Sequence, residues 1–69
     1  MNYRELTRKL RALGCELDRQ SRGSHEIWRN PANGLRTTIP DWGGRDLRTG
    51  TIRAIVRDLG VDWKAFGKS

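Results

Sequence analysis

Sixty-nine residues leave room for one small domain, 1–69, with a core of modest size. Fourteen basic residues, eleven of them arginine, outweigh eight acidic ones to give +6, so an anionic partner is expected, and nucleic acid first. A single cysteine excludes an internal disulfide, and with no long apolar run neither a secretory leader nor a spanning helix is expected, so the expectation is a cytoplasmic protein with no membrane partner.

Asn2 can cap a helix, and Glu5 three residues later completes a capping box. Tyr3, Leu6, Leu10 and Leu13 then share one face, Arg4, Arg8 and Arg11 share another, and Gly14 ends the helix. The arginine stripe reads as a solvated face, with a phosphate track as the functional alternative. Residues 15–20 alternate like a half-buried strand, with Cys15 and Leu17 facing inward. Residues 21–24 form a turn. Strands follow at 25–30 and 35–40, the latter with Thr37 and Ile39 on one face, and the turn chemistry of Pro31 and Gly34 makes 25–40 a hairpin. Ile27 and Trp28 differ in parity, so one of them faces away from the helices. If that one is Trp28, its ring could stack a base; otherwise it packs. "PDWGGRDLRTG" is a loop in which Trp42 is expected to flap over the edge of the core, with a binding platform as the functional alternative. Thr49 or Thr51 caps a second helix carrying Ile52, Ile55, Val56 and Leu59 inward, and Gly60 stops it. Asp62 caps a last helical turn from which Trp63 and Phe66 pack back onto the core. The sum is an α+β domain of α-β-β-β-α order, like double-stranded-RNA-binding domains. Its three-stranded antiparallel sheet has helices on one face and a short C-terminal helical turn. Fold alone does not assign function.

Chemistry has few carriers in this chain. One histidine, one cysteine and scattered carboxylates offer no metal cluster, and no cofactor is expected. Ser24 and His25 are neighbours that a strand would point to opposite faces, so they make a poor nucleophile–base pair. Gly43-Gly44 lacks the lysine and spacing of a phosphate-binding loop. What remains is a histidine among arginines, a combination suited to RNA cleavage. The RNA supplies its own 2′-hydroxyl nucleophile, and a histidine can accept its proton. Arg22, Arg29 and Arg45, with the backbone amides of Gly43 and Gly44, could bind the RNA and stabilise charge growing on phosphorus. The bland reading of His25 is a polar residue where a turn becomes a strand.

The segments "ELTRKLRALGCEL", "GSHEIWRNP" and "TTIPDWGGRDLRTGTIRAIVRDLGV" cover nearly the whole chain. In this order and spacing they resemble the HicA family, RNA-cleaving toxins of bacterial toxin–antitoxin pairs. The resemblance implies a metal-independent endoribonuclease that cuts single-stranded mRNA, with His25 as its catalytic residue and Gly23 and Ser24 supporting the turn that aims it. It also implies inhibition by a cognate HicB-type antitoxin. Two residues depart from the family pattern: Trp42 stands where a smaller or polar residue, often histidine, is usual, and Trp28 replaces a phenylalanine or tyrosine. The competing readings are a non-catalytic RNA-binding module and an adaptor that docks an acidic protein. Of the three readings, only the ribonuclease needs His25.

Overall fold

In the computed structural model, which describes residues 1–69, the first helix, α1 (Tyr3–Ala12), begins where its capping box requires. The Glu5 amide donates to Asn2 Oδ1 at 3.0 Å, and the Asn2 amide donates to Glu5 Oε1 at 3.2 Å. Leu6 and Leu10 are fully buried beneath it, while Arg4, Arg8 and Arg11 stay exposed. β1 (Glu16–Gln20), β2 (His25–Asn30) and β3 (Leu35–Pro40) form one antiparallel sheet in the order β1-β2-β3. α2 (Thr49–Asp58) and the short α3 (Trp63–Lys68) complete an α+β architecture of the expected order.

The hairpin runs without a slip from His25 opposite Pro40 to Asn30 opposite Leu35. Strand alternation then sends Glu26, Trp28 and Asn30 toward the helices, where all three are buried, and leaves His25, Ile27 and Arg29 on the outer face. Trp28 is therefore a core residue, and the base-stacking alternative for it falls. Its ring joins Leu6, Leu10, Ile39, Ile55, Val56, Leu59 and Phe66 in one apolar cluster, with the Arg11 guanidinium 4.8 Å from the ring centroid. Truncating so large a buried side chain typically costs about 3–5 kcal/mol.

Three local expectations are corrected. Cys15 is buried as expected, but Leu17 is not its inward companion: β1 is exposed along its whole length, with Leu17 38% exposed. It is one of the sheet's two edge strands, and its pairing with β2 shifts between Leu17 and Arg19, so the simple alternation does not hold. Neither Thr49 nor Thr51 caps α2. The N-cap is Arg48, with no side-chain cap bond. The start of α2 is set instead by its anchor, because Leu47 is buried and its amide donates to the Met1 carbonyl at 2.8 Å. Asp62 does cap α3, accepting from the Ala65 amide at 3.0 Å, and Phe66 is buried. Trp63, by contrast, remains 40% exposed, stacked on Phe66 at the surface.

The far end of α2 is clamped by the hairpin turn. The Leu59 carbonyl accepts from Asn30 Nδ2 at 2.9 Å and from Asn33 Nδ2 at 3.0 Å. Gly60 follows with φ +67, and a Cβ there would stand 2.5 Å from Asn33 Nδ2. The "NPANG" turn thus fastens the sheet to the helix as well as reversing the chain.

Candidate active site at the head of the second strand

His25 opens β2, exposed to solvent and on the sheet face opposite the core. Its position is set by backbone. The His25 amide donates to the Arg22 carbonyl at 2.9 Å, and its own carbonyl accepts from the Ser21 amide at 2.9 Å. Gly23, at φ +55, takes the left-handed conformation that this tight turn requires and that other residues adopt only with strain. Gln20 Nε2 reaches across the turn to the carbonyls of Gly23 at 3.1 Å and His25 at 3.3 Å. Gln20 is a positioning residue that sequence reasoning missed; glutamine carries no motif, and only the turn's closure reveals it. Ser24 takes part through its carbonyl, which accepts from the Asp41 amide at 2.7 Å.

That last bond lays the 41–46 loop beside the histidine turn. The Gly43 amide donates to Asp41 Oδ1 at 3.0 Å, and the Arg45 amide donates to the Trp42 carbonyl at 3.2 Å. Asp46 bridges to the start of the chain, with the Met1 ammonium 3.3 Å from its carboxylate. The structure therefore ties the Arg22–His25 turn to the start of the segment that carries Gly43, Gly44 and Arg45, through the Asp41–Ser24 bond, while those three residues make no hydrogen bond to the turn itself. Trp42 is not a flap over the core: it is 43% exposed, with the Arg45 guanidinium 5.2 Å from its ring centroid.

The arginines differ in availability. Arg22 and Arg45 take part in none of the chain's ion pairs. Arg29 Nε lies 3.2 Å from Glu16 Oε2, near enough for an ion pair but without the alignment of a hydrogen bond. Arg36 Nε donates to Asp18 Oδ2 at 3.1 Å across the same outer face. Of the arginines considered for the site, Arg22 and Arg45 are thus the ones both exposed and outside every ion pair. An open groove of about 440 Å³ lies elsewhere, between α2 and α3, lined by Arg53, Val56, Arg57, Val61, Asp62 and Trp63.

Behind the histidine, on the inner face, is a second feature the sequence did not reveal. Glu26 Oε1 accepts from the Tyr3 hydroxyl at 2.5 Å and from Trp28 Nε1 at 3.0 Å. Burial, then the hydrogen bond to Glu26, push the Tyr3 hydroxyl well above the usual tyrosine range. The available signal was parity: Glu26 shares a face with Trp28, so placing one inside places both. No three His, Cys, Asp or Glu side chains gather anywhere as a metal site, and no helix is long and apolar enough to cross a membrane.

Comparison with known proteins places the chain in a family. No solved structure matches the chain. It is similar to the probable mRNA interferase HicA of Pseudomonas fluorescens (strain Pf0-1), 36% identical over 61 residues, which span 88% of this chain and 97% of that protein. The family model for the HicA toxin of bacterial toxin–antitoxin matches residues 3–61, from the first turn of α1 to just past the end of α2. The chain belongs to the HicA toxin family.

Proposed function

We propose that this protein is a cytoplasmic toxin ribonuclease that cleaves single-stranded mRNA without a metal ion, with His25 as general base, and that a cognate HicB-type antitoxin inhibits it by covering the His25 edge. The observation that carries this reading is the placement of the chain's only histidine. It stands exposed at the head of β2, pinned by backbone bonds, with the 41–46 loop laid against its turn. Membership of the HicA toxin family and the interferase name of its Pseudomonas relative support the same reading.

The proposed reaction follows from what the site offers. His25 takes the proton of a 2′-hydroxyl as that oxygen attacks the adjacent phosphorus. Arg22 and Arg45, with the amides of Gly43 and Gly44, stabilise the negative charge on the phosphoryl oxygens. The 5′ oxygen leaves with a proton from water, giving a 2′,3′-cyclic phosphate and a free 5′-hydroxyl. Arg29 contributes to RNA binding from the outer face, where Glu16 holds it. Gly23 and Ser24 act through the turn. Because Arg22 and Arg45 are exposed and in no ion pair, an acidic partner is drawn to this edge and blocks RNA by exclusion.

The test pairs cleavage with binding in His25→Ala. Cleavage of single-stranded RNA in excess EDTA is expected from the parent and absent from the variant, and all-DNA substrate should resist both. RNA affinity and the melting temperature should change little, since surface substitutions usually stay within about 0.5 kcal/mol. A variant that still cuts within about tenfold of the parent would overturn the base assignment, because general-base catalysis is worth roughly 10²–10⁴-fold. It would leave a non-catalytic RNA-binding module as the better description.

A further inference from the structure

The three tryptophans have three different surroundings. Trp28 is fully buried. Trp63 is stacked on Phe66 at 5.6 Å and also has Arg53 over its ring at 4.6 Å. Trp42 has the Arg45 guanidinium over its ring at 5.2 Å and keeps 43% of its surface in solvent. The ring belongs neither to the apolar core cluster nor to the partly buried residues packed against it. The loop's backbone is held by the Asp41, Gly43 and Arg45 amide bonds, none of which uses the indole.

Location supplies the explanation. Trp42 lies two residues beyond Pro40, the cross-strand partner of His25, and the intervening Asp41 amide is bonded to Ser24. An exposed indole backed by a cation, next to a proposed phosphate site, has the make-up of a stacking surface for an unpaired base. The guanidinium fits on one side of the ring and a base on the other, while the arginine's charge also favours the backbone phosphates. We infer that Trp42, backed by Arg45, is a stacking platform for the base of a nucleotide flanking the scissile phosphate, and that it favours a purine there. The purine preference follows because stacking on an indole is tolerant of base identity but grows with the overlap of the rings. This inference rests on the ribonuclease reading of His25.

The experiment uses the full chain and cleavage-resistant 2′-O-methyl RNA oligonucleotides, with affinity read by fluorescence anisotropy. One set replaces each base in turn by an abasic site; another exchanges purine for pyrimidine at the same positions. The parent should lose affinity at one abasic position. Trp42→Ala should bind the intact oligonucleotide about tenfold more weakly and lose its sensitivity at that position, while Trp42→Phe restores most of both. Trp63→Ala should match the parent. Circular dichroism melts confirm that the variants are folded. Trp42→Ala affinity within about twofold of the parent, or an unchanged abasic profile, overturns the platform, since a stacked base should be worth more than that. So does a defect confined to antitoxin binding, which would make Trp42 a protein anchor instead. RNA cleavage by the parent and its loss in His25→Ala are measured in parallel. A chain that cuts while Trp42→Ala binds normally removes the platform alone; a chain that never cuts removes the ribonuclease reading as well.

Discussion

Tyr3 and Cys15 sit on the inner side of the molecule, and burial favours the neutral form of each, pushing both groups up from their ordinary values. In the unfolded chain a thiol loses its proton near pH 8.5 and a phenol near pH 10. Below those values both states carry neutral groups and the native state keeps its full advantage. Above them the unfolded chain ionises first, so stability drains away as pH rises toward the folded-state values. The melting temperature should therefore fall from pH 8 upward. Cys15→Ala should flatten the first part of that decline, and Tyr3→Phe the part above about pH 10. Identical alkaline slopes in parent and variants would show that these groups are not the cause. At this scale the sequence was only half legible. Alternation showed that Ile27 and Trp28 part company, but a strand has two phases, and only contact with the helices decides which side is inside. Glu26 was unreadable for the same reason, since a carboxylate is placed in a core only when its donors, Tyr3 and Trp28, are known to converge on it.

Between elements, the decisive joint is the one at Leu59. The two asparagine amides bring the end of α2 down onto the hairpin turn, and Gly60 permits it by having no side chain. Gly60→Ala would place a methyl into Asn33 at a left-handed residue, and a cost of about 1–2 kcal/mol from the backbone alone is expected. Gly67, inside α3 with open space around it, offers the opposite case. Gly67→Ala should stabilise by roughly 0.5–1 kcal/mol. Urea titrations should show the midpoints moving in opposite directions at an unchanged m-value; a neutral Gly60→Ala would mean that the clamp is loose. The hairpin and the first helix were legible because their ends are written in local chemistry, Pro31 and Gly34 for one and Asn2 with Glu5 for the other. The start of α2 was not, because it is fixed by the distant Leu47–Met1 bond, and the exposure of β1 was not, because its register shift breaks the alternation that the sequence pattern assumes.

For the molecule as a whole, the net charge of +6 is unevenly usable. Arg22 stands in no ion pair beside His25, whereas Arg57 lies near the clamped end of α2 with Asp58 at 3.4 Å. RNA affinity should fall with salt at a log–log slope of about −0.7 per phosphate contacted. Arg22→Glu should weaken binding and shallow that slope more than Arg57→Glu; equal effects would indicate only diffuse attraction. The histidine turn itself was legible from "GSH", but its neighbourhood depended on the hairpin register that seats Pro40 against His25 and brings the next loop alongside. The irregular β1 has one more consequence. A three-stranded sheet with a bare outer face invites other chains to extend it, and its free edges are where they would join. On β1 the register shift breaks the regular row of amides and carbonyls, and Asp18 and Arg19 set opposite charges at the break. A second copy aligning there meets a broken ladder and ionic side chains it must desolvate, so β1 is a poor template for extending the sheet.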